Sequence, residues 1–356
     1  MVIGIPKATR GKASITLRLI RKLAWLALLL AVGIGHPLPA NAAPPSTQPI
    51  PEAADTAFQY TRPANLAVEE TTPKGQQLHW TQRRAPVDMT KPTTAPSASV
   101  PPATAGPMKV IRLRFIDATG EVVPVLLAIP AKGKPPFPLV IALHGIYCDK
   151  AQVMGQFGPA LVKQGFAVMA PDLPCHGERP GEVLALFDPR HPQIATDIQR
   201  RSVIDVRQCI DLAEERHDQL DLSRGVYVVG FSLGTWVACF TAGSDERVTA
   251  MSLCLAGAPT RDAIAVAPQF TGFDTAAAIA RFHGPVLMLN AEHDMLIPRA
   301  WTERLFNAAN EPKMQKWFDS GHDNLPRAAI EQAVGFLAGV RDKPREEQTR
   351  IPANSH

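Results

Sequence analysis

Within one residue the chain changes from strand to helix, and that junction sits on a serine. Val226-Tyr227-Val228-Val229 is a short apolar, β-branched run that reads as a buried strand. A helical pattern follows, and Gly230-Phe231-Ser232-Leu233-Gly234 joins the two. A strand that becomes a helix so abruptly forces Ser232 into a tight, strained backbone. Gly230 and Gly234 lack side chains, so neighbouring backbone can pass close to the turn. The turn pushes the Ser232 hydroxyl out of the carboxyl edge of a sheet, where a base can reach it. Five residues with three fixed recur by chance, and an isolated match is usually a turn before a helix. The flanking strand and helix patterns carry the nucleophile reading.

The rest of the folded region supplies the sheet. Apolar runs at 110–116 and 122–129 flank Asp117-Ala118-Thr119-Gly120, a hairpin signal. Further runs at 137–144, 166–171, 249–255, 285–290 and 315–318, with the Ser232 strand, predict eight strands. Helical patterns at 149–165, 197–216, after Ser232, from 299 and at 324–340 alternate with them. This alternation indicates an α/β fold: a mostly parallel eight-stranded sheet with helices on both faces. Residues 258–284 fall where a short cap insertion belongs.

A serine hydroxyl needs an adjacent base, and the base needs an acid to hold its tautomer. In a parallel sheet these groups come from loops at the strands' carboxyl ends. Asp294 follows the seventh expected strand and His322 the eighth. The chain order is therefore Ser232, Asp294, His322. Asp319, Asp323 and Glu292 are rival acids, and a lone Asp or His at a strand end is often only a turn former or cap. The first oxyanion donor should be the Leu233 N–H, next to the nucleophile. The second should come from Leu143-His144-Gly145-Ile146-Tyr147-Cys148, where Ile146 is expected to donate and His144 to pack beneath as a structural side chain.

These residues resemble those of the α/β-hydrolase superfamily over about Met108 to Val340. The His144-Gly145 pair, Asp172 with His176-Gly177, Gly-Phe-Ser-Leu-Gly and the Asp294 and His322 contexts carry the likeness. Within it the chain is similar to dienelactone-hydrolase-like and other small esterases, and shares features with the prolyl-oligopeptidase catalytic domain. It departs from dienelactone hydrolases in having Ser232 where they have Cys, and it lacks the oligopeptidases' propeller. The resemblance implies a serine hydrolase, with no cofactor and no metal, acting on small-molecule carboxylic esters.

Substrate contacts are less constrained. Tyr147 and Met295 stand next to expected catalytic groups in sequence, and His176 lies in the 172–180 loop expected beside the oxyanion loop; all three are candidate contacts. Arg179 could bind a substrate carboxylate, although a salt bridge with Glu178 or Asp172 is the commoner use of such a residue. Phe270, Phe273 and Phe282 could line an acyl or alcohol pocket or be ordinary core. Cys148 and Cys175 lie in adjacent expected loops, so a disulfide is geometrically conceivable. Cys209, Cys239 and Cys254 read as buried thiols. No Cys/His spacing suggests zinc, and no Gly-rich phosphate loop is present.

The N-terminal third has another character. Residues 1–22 are basic, 23–32 are apolar, Pro37 and Pro39 break any helix, and Ala40-Asn41-Ala42 offers a cleavage site. That is the layout of a secretory signal over 1–42, with an uncleaved anchor as the alternative. Residues 43–107, rich in Pro, Thr, Ala and Ser, are expected to be a disordered linker, with 108–341 the catalytic domain and 342–356 a flexible tail. The formal net charge of +4 becomes −2 without the six basic residues of 1–42, which removes any electrostatic case for nucleic acid. The expected protein is thus periplasmic or secreted. A prolyl-oligopeptidase-like amidase and a catalytically silent, envelope-tethered binding domain are the alternatives, and the oligomeric state is open.

Overall fold

In the central strands both faces are apolar, and this fixes a layered fold. Strand β4 (Phe137–Leu143) sends Phe137, Leu139, Ile141 and Leu143 into one hydrophobic cluster and Val140 and Ala142 into another. A strand buried on both sides needs a helical layer on each. The computed structural model describes residues 57–62, 66, 68–71, 108–267, 270, 272 and 274–343. The expected signal segment, most of the linker and nearly all of the tail lie outside the described residues.

The described residues form a ten-stranded sheet. Eight strands are those expected: β2 (Met108–Ile116), β3 (Val122–Pro130), β4, β5 (Ala167–Pro171), β7 (Val226–Phe231), β8 (Val248–Cys254), β9 (Val286–Ala291) and β10 (Lys313–Phe318). Two short ones join them, β1 (Val68–Thr71) and β6 (Leu220–Asp221). The order is β1-β2-β3-β5-β4-β7-β8-β9-β10, with β6 beside β4. Pairing is antiparallel from β1 to β5 and parallel from β5 onward.

Helices α1 (Lys150–Lys163) and α7 (Arg327–Asp342) cover one face, burying Met154, Phe157, Leu161, Val334 and Leu337. Helices α2 (Pro192–Glu215), α3 (Leu233–Ala242) and α6 (Arg299–Ala308) cover the other with Val203, Val206, Trp236 and Leu305. The Asp149 side chain caps α1 by accepting the Gln152 N–H at 2.9 Å. The chain leaves β4 for β5 on one side, and β7 lies on the other. That change of direction opens a crevice at the carboxyl ends of β4 and β7, where such sheets bind ligands.

Two differences from the sequence reading concern surroundings. Among the described residues of 258–284 are the short helices α4 (Arg261–Val266) and α5 (Thr275–Ile279). Phe270 and Phe282 are buried there, and Phe270 meets Phe187, Trp236 and Trp301 edge-on, so it is core. Phe273 lies outside the described residues.

Part of the expected linker is also packed. Phe58 is buried against Phe240 with ring centroids 5.5 Å apart, and Arg62 pairs with Glu214 at 2.6 Å. The Tyr60 hydroxyl donates to Asp211, and β1 pairs with the edge strand β2. Arg62, Arg200, Arg207 and Arg216 bond across to or from this strap, and with the Phe58–Phe240 pair they supply what its weak apolar pattern does not.

Candidate active site

The site begins with backbone conformation. Ser232 has φ 50° and ψ −113°, a left-handed value that a non-glycine residue adopts only under constraint. Its N–H donates to the Cys254 carbonyl at 2.9 Å, and its carbonyl accepts from the Thr235 N–H at 2.8 Å and hydroxyl at 2.7 Å. A Cβ on Gly230 would lie 2.7 Å from the Gly234 carbonyl oxygen, and one on Gly234 would strike the Leu143 carbonyl. Both glycines are thus required where β7 turns into α3.

Ser232 Oγ lies 2.8 Å from Nε2 of His322. His322 Nδ1 lies 2.8 Å from Oδ2 of Asp294. The other Asp294 oxygen accepts the N–H groups of Leu296 and Ile297 at 2.8 and 2.9 Å. The carboxylate is therefore fixed by its own loop. The His322 and Asp294 side chains are only 10% and 5% exposed, so the pair works largely away from bulk water. The loops beyond β9 and β10 are tied together by the His293 N–H to the Ser320 carbonyl at 3.0 Å. Phe231 packs its ring against His322 with centroids 6.4 Å apart. That contact was not singled out from sequence. The signal was Phe231's place beside Ser232, on the face opposite Gly230.

Three side chains from β7, β9 and β10 therefore meet at one rim. The rival acids do not: Asp319 contacts His293 at 2.9 Å on the surface, and Glu292 and Asp323 are exposed. Glu292, His293 and Asp319 bring potential ligand atoms within 4.8 Å of one another, the one such grouping among the described residues, and all three are exposed.

Leu233 opens α3, so its N–H has no carbonyl four residues back within the helix. The loop of Ile146 stands against Ser232, since a Cβ on Gly145 would lie 3.4 Å from Ser232 Cβ. The Cys148 N–H closes a turn to the Gly145 carbonyl at 3.2 Å. His144 is buried beneath: its Nδ1 meets the Gly145 carbonyl at 2.8 Å and its Nε2 accepts the Leu173 N–H at 3.0 Å.

The substrate candidates separate. Tyr147 and Met295 are exposed, on the Ile146 and Asp294 loops. His176 is buried with its ring 4.9 Å from His144, and its Nδ1 meets the Pro174 carbonyl at 2.8 Å. Burial, with His144 and Arg179 nearby, lowers its pKa to about 3, so the ring is neutral, and its buried Nε2 has no hydrogen-bond partner among the described residues. The structure also corrects Arg179. Its side chain is fully buried and paired with Asp205, with Glu121 at 2.8 Å and with Asp117 at 3.3 Å. Both terminal nitrogens are taken by these acids and the Nε–H is buried without a partner among the described residues, so the guanidinium is enclosed rather than presented to a substrate carboxylate. All five cysteines are free, so Cys148 and Cys175 are not joined.

A family model described as "Alpha/beta hydrolase family" matches residues 140–273, which include Ile146, Ser232 and Leu233. Solved structures with the same fold include acetyl xylan esterase 1 from Thermoanaerobacterium sp. JW/SL YS485, 17% identical, covering 82% of this chain and 95% of that one at TM-score 0.61. A cold-adapted esterase from an Arctic intertidal metagenomic library is 22% identical, with coverage of 65% and 94% and TM-score 0.54. A dienelactone-hydrolase-like protein of Klebsiella pneumoniae is 16% identical, with coverage of 65% and 98% and TM-score 0.51. The comparison with curated proteins returned no match.

Proposed function

We propose, from the α/β-hydrolase fold of this chain, that it is an exported serine esterase acting on small carboxylic esters. One observation carries the reading: the unbroken hydrogen-bonded path from Ser232 through His322 to Asp294, 2.8 Å at each step, at a strained strand-to-helix turn. In this mechanism Ser232 Oγ attacks the ester carbonyl while His322 Nε2 takes its proton. Asp294 holds the Nδ1–H tautomer and stabilises the imidazolium. The N–H groups of Leu233 and Ile146 receive the oxyanion, each contributing about 3 kcal/mol in the transition state. His322 returns the proton to the departing alcohol. Water then cleaves the acyl-enzyme by the reverse sequence, with His322 again the base.

The esterase names borne by the solved structures of the same fold support an ester over an amide. The basic and apolar segments of residues 1–42 support export. Purified residues 43–356, assayed on a panel of short-chain esters and aminoacyl amides, should turn over the esters. Hydrolysis confined to the amides would replace this reading with a peptidase.

A further inference from the structure

Tyr147 is held in a conformation that a tyrosine seldom adopts. Its φ is +57°. It stands third in the turn Gly145-Ile146-Tyr147-Cys148, closed by the Cys148 N–H to Gly145 carbonyl bond. With left-handed backbone at that place, glycine is the usual residue and a bulky side chain is disfavoured. The side chain is only partly covered in recompense: Tyr147 is 42% exposed. A strained, exposed aromatic makes little sense as packing, and such outliers gather where a ligand is handled. The turn begins at Gly145, which abuts Ser232.

Met295 mirrors it. The loop after Asp294 winds around its own carboxylate through the Leu296 and Ile297 N–H bonds, and Met295 is left 69% exposed. Strand order places the Tyr147 loop on β4 and the Met295 loop on β9, with the Ser232 strand between. Three strand spacings, about 14 Å, separate β4 from β9, enough to admit a substrate between two side chains. Trp236 and Trp301 each pack edge-on against Phe270 in the buried core.

We propose that Tyr147 determines substrate selectivity: with Met295 it forms an open apolar jaw across Ser232 that grips a flat apolar group of the ester. The preferred class is then aryl esters. The proposal rests on the esterase reading above. A thioether and an aromatic ring both suit the face of an aryl group.

The test is the ratio of kcat/KM for 2-naphthyl acetate to that for ethyl acetate. It is measured in the parent protein, Tyr147→Gly, Tyr147→Phe and Met295→Ser. Tyr147→Gly should lower the ratio about tenfold, mainly through KM for the aryl ester. Tyr147→Phe should keep the parental ratio, and Tyr147→Gly should melt no lower than the parent because the backbone strain is relieved. A Gly variant whose ratio stays within about twofold overturns the jaw. So does a Phe variant that loses the preference, since the hydroxyl would then be responsible. If Tyr147→Gly does not fold, Met295→Ser must lower the ratio, and an unchanged value overturns the proposal. A parent protein that hydrolyses neither ester removes the esterase reading itself, a result visible before any variant is compared.

Discussion

Asp294 faces His322 with one oxygen and its own loop with the other: Oδ2 lies 2.8 Å from Nδ1, while Oδ1 accepts two backbone N–H groups. An amide in place of the carboxylate would keep the shape and stabilise the wrong imidazole tautomer. Asp294→Asn should therefore lower kcat on p-nitrophenyl acetate by about 10⁴-fold. Asp319→Asn should stay near the parent, because Asp319 meets only the exposed His293. Greater damage from the Asp319 change would mean that the acid is misassigned.

The glycines give opposite expectations according to position. A Cβ on Gly234 meets the Leu143 backbone, whereas one on Gly335, inside α7, meets nothing within 4 Å. Gly335→Ala should stabilise the protein by about 0.5–1 kcal/mol through helix propensity. Gly234→Ala should destabilise it or abolish soluble expression. Urea midpoints of the two variants check both signs.

How much of this was legible in the sequence follows from chain distance. Ser232 and Asp294 each follow an apolar run and His322 follows a short mixed one, Gln315-Lys316-Trp317-Phe318, so local pattern and chain order sufficed to propose them together. Arg179 misled because its partners are remote: Asp205, Glu121 and Asp117 are 26, 58 and 62 positions away on other elements. Nothing in Glu178-Arg179-Pro180 announces three acids, two of them buried. The strap escaped for a related reason. Val68-Glu69-Glu70-Thr71 lacks apolar alternation, and its strand exists because β2 offers an open edge and α2 offers Arg216 to Glu70 at 3.0 Å.

The strap predicts that the folded unit begins well before Met108. Phe58 is buried beside Phe240, and Arg207 donates to the Phe58 carbonyl at 2.6 Å. Phe58→Ala should cost about 3 kcal/mol in denaturant unfolding. A change below about 0.5 kcal/mol, the range of ordinary surface substitutions, would show that the strap contributes little in solution.

Acid should expose the two buried histidines. Burial lowers the pKa of His144, and that of His176 to about 3, below the ordinary value of 6.5. A folded-state pKa below the unfolded one means that the unfolded chain binds the extra proton. Stability from the neutral His176 ring is complete above pH 6.5 and is lost as pH falls toward 3, by about 1.4 kcal/mol per pH unit, and His144 contributes with the same sign. Asp205 acts in the opposite sense, since burial pushes its pKa up to about 7 despite Arg179. Comparing the parent with His176→Gln cancels that contribution. The variant should lose less stability than the parent between pH 7.5 and 4.5, and equal losses would place the acid sensitivity elsewhere.

The account depends most on the nucleophilicity of one hydroxyl. The most direct measurement is intact-mass labelling by a fluorophosphonate, with the adduct mapped by peptide sequencing. The parent should gain a single adduct on Ser232, Ser232→Ala should gain none, and His322→Ala should react far more slowly. A parent protein left unlabelled, or labelled at another residue with Ser232→Ala still hydrolysing esters, would contradict the account.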